Sequence, residues 1–297
     1  MSVLNQSTRD PREAGPKPPF PPQKQSHPGT PRLLEPKADH GETSYQGTGK
    51  LKGRAAIVTG GDSGIGRAIA IAFAKEGADV LISYLPEEQR DAEETSSVIT
   101  AAGGKSVQVP GDIGDHGLAK KLVAEAKKEF GHLDIVVNNA AFQMTHQKLE
   151  EIPEEEFEHT FRTNVFGSFF LTQAALKEMK PGGVILNTTS IQAYDPSPQL
   201  VAYAATKAAI LSMTKSIADL AMKNGVRVNA VAPGPVWTPL IPATMPEEKV
   251  KTFGQNTAFG RPAQPIELAR DFVFLASDDA SYVTGEVYGA TGGRTPF

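Results

Sequence analysis

The segment Ala55-Ala56-Ile57-Val58-Thr59 runs straight into Gly60-Gly61-Asp62-Ser63-Gly64-Ile65-Gly66, and from there into the helical stretch Arg67-Ala68-Ile69-Ala70. Strand, glycine turn and helix in that order constrain the fold more than any other feature of the chain. A short apolar strand without polar alternation is covered on both faces, which calls for helices on either side of a parallel sheet. The glycines let the backbone bend tightly and approach a pyrophosphate, an anion favoured by the free N–H groups and dipole at a helix start. The spacing is Thr-Gly-x-x-x-Gly-x-Gly rather than Gly-x-Gly-x-x-Gly, and a purely structural turn is the competing reading. No Lys-Ser or Lys-Thr follows the glycines, which disfavours a nucleoside-triphosphate loop.

The same rhythm continues to the end of the chain. Further strands are predicted at Val80–Ser83, Ser106–Val109, Ile135–Asn138, Val184–Thr188, Val226–Val231 and near Glu286–Gly289. Helical patterns lie between them at Ile65–Glu76, Glu87–Ala101, Gly117–Phe130, Val165–Met179, Ala202–Asn224 and Ile266–Ala276. Gly77, Gly103, Gly131 and Gly225 stand just past four of these, where a left-handed C-terminal cap favours glycine. Alternating βα units of this kind predict a doubly wound α/β fold in one domain over residues 50–297. Pro239–Phe253, flanked by prolines and weakly helical, reads as an excursion over a site. Residues 1–49 differ: Pro18-Pro19, Pro21-Pro22 and scattered Gly, Ser and Gln leave no apolar periodicity. Such a segment is either disordered or an arm lying along the domain or a neighbouring subunit.

Composition removes several classes of function. A net charge of -4 and a pI near 5.9 offer no basic field, so nucleic acid and anionic membranes are not expected partners. With no cysteine, disulfides and thiolate chemistry are excluded. The six histidines show no paired spacing on a helix face, so no metal site is expected. Neither a signal peptide nor an apolar run of roughly 20 residues is seen, and the expected location is the cytoplasm.

Candidate chemistry lies in the second half. Tyr203 and Lys207, four apart in one helical stretch, share a face. A phenol titrating near about 10 needs a shift of roughly 3 units, about 4 kcal/mol, to act as a base near neutrality, and an adjacent cation supplies about 1 to 3 units. Alone, the pair reads equally well as an aromatic ring packed on a lysine stem. Ser190, at the carboxyl end of the strand Val184–Thr188, can hold a substrate oxygen in line with Tyr203, or cap its own turn. Asn138-Asn139-Ala140-Ala141 ends the fourth strand, where amides either tie loops together or approach a ribose. Asn164 opens the helix predicted from Val165, where an N-cap is the plain alternative. Asp112 is a turn residue or an adenine contact.

Taken together, Thr59 with Gly60, Gly64 and Gly66, then Asn138-Asn139-Ala140, Asn164, Ser190, Tyr203/Lys207 and Pro233-Gly234 resemble the short-chain dehydrogenase/reductase family over about residues 50–297. The resemblance implies a Rossmann fold, with a seven-stranded parallel sheet in order 3-2-1-4-5-6-7 and helices on both faces. It implies NAD(P)-dependent hydride transfer between nicotinamide and a carbonyl/alcohol pair such as an aldehyde, ketone, sugar or polyol. Tyr203 would be the acid/base, Ser190 would orient the carbonyl, Lys207 would also grip the nicotinamide ribose, and Asn164 would hold a water in a proton relay. Cofactor contacts would come from Gly60, Asp62, Ser63, Gly64, Ile65, Gly66, Tyr84, Asp112, Ile113, Asn139, Ala140, Tyr203, Lys207, Pro233, Gly234, Val236 and Thr238. A homotetramer is implied by the same resemblance.

The run Gly61–Arg67, the Ser83-Tyr84-Leu85-Pro86 turn and the proline-rich leader resemble a bacterial general-stress or aldehyde-reductase-like subgroup. Ala141 departs from the family's usual glycine. Ser83-Tyr84-Leu85 at the end of the second strand carries neither the acid that receives a ribose 2'-OH nor the base that receives a 2'-phosphate. With nothing acidic there to repel a phosphate, NADP is slightly preferred over NAD. Trp237, Pro239 and Leu240 are expected to begin a substrate lid, with Gln143, Met144, His146, Gln192 and Tyr194 near the pocket. Two other functions compete: a non-catalytic nucleotide-sensing or scaffold protein, and an epimerase or dehydratase with retained cofactor.

Overall fold

The computed structural model describes residues 10–294. Its strands are β1 (Ala55–Thr59), β2 (Asp79–Tyr84), β3 (Ser106–Pro110), β4 (Ile135–Asn138), β5 (Val184–Thr188), β6 (Arg227–Pro233) and β7 (Val287–Ala290). They form one sheet in order β3-β2-β1-β4-β5-β6-β7, every pairing parallel. Alternate residues of each central strand serve opposite layers. Ala56 and Val58 of β1 face the core shared with α1 (Gly64–Lys75), α2 (Gln89–Ala101) and α9 (Pro265–Ala276). Ile57 faces the core shared with α3 (His116–Phe130), α5 (Gly167–Leu176) and α6 (Val201–Met222). Burial on both sides is why these strands read as unbroken apolar runs. Strand order reverses between β1 and β4, and ligands of such sheets sit beyond the carboxyl ends there.

One predicted helix starts far too late. The stretch assigned to Val165–Met179 begins at α4 (Glu154–Phe161), passes through a π-helical turn at Arg162–Phe166 and continues as α5. Pro153 precedes α4 and three glutamates fill its first turn, complementing the helix dipole. That acidic start conceals the apolar period. Asn164 therefore sits inside a continuous helix rather than at an N-cap, and the wider π turn carries it inward, fully buried.

The excursion after β6 forms two short helices, α7 (Leu240–Thr244) and α8 (Glu247–Lys251). Residues 10–49 lie over the domain with Phe20, Leu34 and Tyr45 buried. Phe20 and Leu34 join Trp237, Ile241 and Val250 in a third apolar cluster. Lys75 Nζ donates to the carbonyls of Gly41, Glu42 and Tyr45 at 2.7–2.9 Å, and Arg261 donates to Pro11 O at 2.7 Å. Among the described residues, no helix is long and apolar enough to cross a membrane.

Candidate active site

The turn between β1 and α1 is built so tightly that side chains are excluded. A Cβ on Gly66 would stand 1.9 Å from the Gly60 carbonyl oxygen, and one on Gly61 would stand 2.6 Å from Ile82 Cγ2. Gly60 and Gly64 adopt φ of +61° and +52°, conformations that glycine takes without strain. The first-turn amides of α1 have no intrahelical acceptors, and Ser63, the residue before the helix, does not cap them with its side chain. Such a cradle fits a pyrophosphate. Asn139 holds it from the next strand: its N–H donates to Thr59 Oγ1 at 2.9 Å and its Nδ2 to Thr59 O at 3.1 Å. Asn138 instead bonds Asn187 Oδ1 and Thr172 Oγ1 at 2.8 and 3.0 Å, a buried tie between β4, β5 and α5.

The same cleft continues to α6, where Tyr203 and Lys207 line it. Lys207 is buried and its Nζ donates to Thr188 O at 2.7 Å. Its ammonium lies 5.3 Å from the centre of the Tyr203 ring. Burial pushes the Tyr203 phenol up to about 12, opposed by a hydrogen bond from Ser190, and pushes Lys207 down to about 7. Without a ligand, desolvation thus outweighs the hydrogen bond from Ser190, and the phenol keeps its proton. That protonation state suits an acid that delivers a proton to a carbonyl oxygen. Ser190 Oγ also accepts from Gln192 N at 3.1 Å, so it serves its turn as well as facing Tyr203. Asn164 accepts from Phe142 N at 2.7 Å and donates to Phe142 O and Thr206 Oγ1 at 2.9 and 3.0 Å. It joins the β4 loop to the turn of α6 that carries Lys207.

The cleft opens to solvent and runs from the glycine cradle past the end of β2 to Tyr203 and Lys207. A family model described as "Enoyl-(Acyl carrier protein) reductase" matches residues 60–295. The chain belongs to the short-chain dehydrogenase/reductase family. General stress protein 39 of Bacillus subtilis is 47% identical, covering 93% of this chain and 96% of its own length. NADPH-dependent aldehyde reductase 1, chloroplastic, of Arabidopsis thaliana is 45% identical, covering 90% and 95%. The crystal structure of a short chain dehydrogenase from Burkholderia cenocepacia J2315 in complex with NADP superposes with a TM-score of 0.77 at 29% identity, covering 82% of this chain and 98% of that one. As a short-chain dehydrogenase/reductase, the protein is an NAD(P)-dependent oxidoreductase.

Thirteen residues singled out in the sequence meet at this cleft: Gly60, Asp62, Ser63, Gly64, Ile65, Tyr84, Asp112, Ile113, Asn139, Ala140, Tyr203, Lys207 and Thr238. Gly66, Asn164 and Ser190 reach the cleft through residues that line it: Gly66 packs on Gly60, Asn164 accepts from Phe142 N, and Ser190 bonds the Tyr203 hydroxyl. Pro233, Gly234 and Val236 are further back, with Gly234 pressed against Thr291 and Val236 bridged to Ala263. Trp237 is not a substrate-lid residue. It turns away from the cleft, stacked 4.2 Å from Phe20 with Nε1 donating to Pro36 O at 2.7 Å; a buried indole needs both an apolar partner and an acceptor, and the arm supplies them. Pro239 and Leu240, its neighbours, do line the cleft.

Several side chains of the cleft escaped the sequence reading, among them His27 and Pro28 of the arm, Phe142, His159 of α4, Thr163 and Glu88. Glu88 brings an acid to the end of β2 after all. Its carboxylate accepts from Leu85 N at 2.9 Å, and it adjoins Asp62, whose Oδ2 is buried without a hydrogen-bond donor. Burial raises both carboxyl pKa values, helped at Asp62 by the charge of Asp91 and at Glu88 by that of Asp62, so the pair retains a proton near neutrality instead of carrying two charges. The signal available in the sequence was the run Glu87-Glu88 immediately after Pro86.

Proposed function

We propose that the protein reduces a small carbonyl compound, an aldehyde by preference, with Tyr203 as the proton donor. The observation that carries this reading is the meeting of Tyr203, Lys207 and the glycine cradle in one cleft, with Ser190 hydrogen-bonded to the phenol. The nicotinamide supplies hydride to the carbonyl carbon when bound. Ser190 positions the carbonyl oxygen, Tyr203 passes its hydroxyl proton to that oxygen, and the C=O π bond breaks as the new C–H and O–H bonds form. The phenolate left on Tyr203 is stabilised by Lys207 until solvent returns the proton. Alcohol oxidation runs through the same groups in reverse. Sugars, polyols and ketones are the further substrates to be screened.

NADP is favoured over NAD, supported by the NADP and NADPH named for the relatives; the Asp62/Glu88 pair, which brings negative charge to the end of β2, weighs on the side of NAD. We further propose a cytoplasmic setting; among the described residues no helix is long and apolar enough to cross a membrane. We further propose a homotetramer, for which exposed Phe157, Phe166 and Phe169 along α4–α5 offer an apolar contact surface; sedimentation as a monomer at micromolar concentration would refute it.

The test is Tyr203→Phe against a panel of aldehydes, sugars and polyols with both cofactors, followed by nicotinamide absorbance. Removing a general acid should slow the best substrate by about 100- to 10,000-fold while dinucleotide binding persists. A variant as fast as the parent would sink the acid/base assignment.

A further inference from the structure

The arm does more than cover apolar surface. Between its anchors at Phe20 and Leu34, both buried, it crosses the cleft that holds the glycine cradle and Tyr203, and His27 and Pro28 form part of that cleft's wall. On one bank, Gln25 N donates to Pro242 O at 3.0 Å. On the other, Thr30 Oγ1 donates to Asp91 Oδ1 at 3.0 Å, in the first turn of α2. The crossing itself is a tight turn: Gly29 N donates to Ser26 O at 2.8 Å, and Thr30 N donates to Gln25 Oε1 at 2.7 Å.

Gly29 touches the opposite bank so closely that only glycine fits. Its φ is +87°, and a Cβ would stand 2.7 Å from Pro239 O. The His27 ring packs edge-on against Phe142 with centroids 4.9 Å apart, and Phe142 packs in turn on His159 at 4.6 Å. Phe142 and His159 also line the cleft. The titratable groups facing His27 are His159 and Glu87; burial, with His159 beside it, holds its pKa below the usual value, which favours the neutral imidazole with one N–H. Residues 25–30 are at most half-buried, whereas the anchors on either side are in the core.

We propose that residues 27–30 of the N-terminal arm are a cofactor-binding strap, with His27 offering its imidazole N–H to the dinucleotide and Gly29 closing the strap on Pro239. The dinucleotide then enters and leaves only when this segment lifts between its fixed anchors. The proposal rests on the dinucleotide reading of the cleft.

Two variants of the full-length protein separate the contributions. His27→Ala removes the donor, and Gly29→Ala inserts a methyl group where Pro239 O stands. NADPH and NADH affinity are read from nicotinamide fluorescence, and release rates from stopped-flow displacement. Loss of one hydrogen bond to an anionic ligand predicts about tenfold weaker binding for His27→Ala, and Gly29→Ala should speed release by a similar factor. Hydrogen exchange on the parent protein should show amides 25–30 becoming protected when the dinucleotide is added. Circular dichroism and thermal midpoints without cofactor check that each variant is folded, and His27→Ala carries the test if Gly29→Ala is not. Parent-like affinity and release in the folded variants, with no new protection at 25–30, would overturn the strap alone. A parent protein that bound neither dinucleotide would overturn both the strap and the oxidoreductase reading beneath it.

Discussion

Replacing Lys207 by Met tests how the tyrosine is made reactive. The ammonium lies 5.3 Å from the Tyr203 ring centre, and at an effective dielectric of about 20 two unit charges at that separation interact by about 3 kcal/mol. That is roughly two pKa units of phenolate stabilisation, or about 100-fold in a step whose transition state carries most of the charge. Lys207→Met keeps the length and the apolar stem but removes the charge, so kcat in either direction should fall about 100-fold near pH 7. The penalty has a pH signature. Because burial holds Lys207 near about 7 in the ligand-free protein, the cation is lost as pH rises through that value, and the parent-to-variant ratio of kcat/KM should shrink towards about pH 9. Dinucleotide affinity, measured by fluorescence, separates a lost grip on the cofactor from a lost charge. A ratio under about tenfold at every pH, with unchanged cofactor affinity, would refute the charge argument and leave Lys207 as packing.

Leu34→Ala asks whether the arm belongs to the folding unit: Leu34 is fully buried in the Phe20–Trp237 cluster, so the change should cost about 2–5 kcal/mol, read by urea unfolding, and a loss below about 0.5 kcal/mol would mean the arm merely rests on the domain. Glu88→Gln probes the acidic pair. The folded-state pKa of Glu88 is raised above its unfolded value, so the folded state binds more protons; its stability contribution is full below the unfolded pKa and lost as pH rises through the folded one. Relative to the parent, Glu88→Gln should therefore gain stability at about pH 9 over about pH 5, and parallel stability–pH curves would contradict the pairing with Asp62.

What the sequence made legible follows the range of the interactions. Tyr203 and Lys207 lie one helical turn apart, so their neighbourhood is fixed by local geometry, and the β1 turn announces itself because glycine is demanded by contacts within a few residues of the strand. The sheet was readable since Ile57, Val136 and Ile185 are buried on the face opposite Val58, Val137 and Leu186, leaving no polar position to break the run. α4 was missed because its first turn, Glu154 to Glu156, satisfies the helix dipole rather than an apolar stripe. The Asp62–Glu88 pair depends on β1 and β2 lying side by side, which brings together residues 26 positions apart. Its raised pKa values arise from burial, a property that no residue spacing encodes.

Trp237 carries the longest-range consequence. It is followed at once by Thr238, Pro239 and Leu240, which line the cleft, while Trp237 itself is held on the other side by Phe20 and by the carbonyl of Pro36. One peptide segment therefore has the arm on one flank and the reaction cleft on the other. An indole fully buried against the arm fixes where the next three residues stand, so the arm shapes the cleft twice: directly through His27 and Pro28, and indirectly through the anchorage of Trp237. The two routes are separable, since His27→Ala leaves the Trp237 anchor intact whereas Leu34→Ala loosens it without touching the cleft wall. If both substitutions weaken dinucleotide binding and only Leu34→Ala lowers the unfolding free energy, the proline-rich leader is a working wall of the enzyme and not a tether.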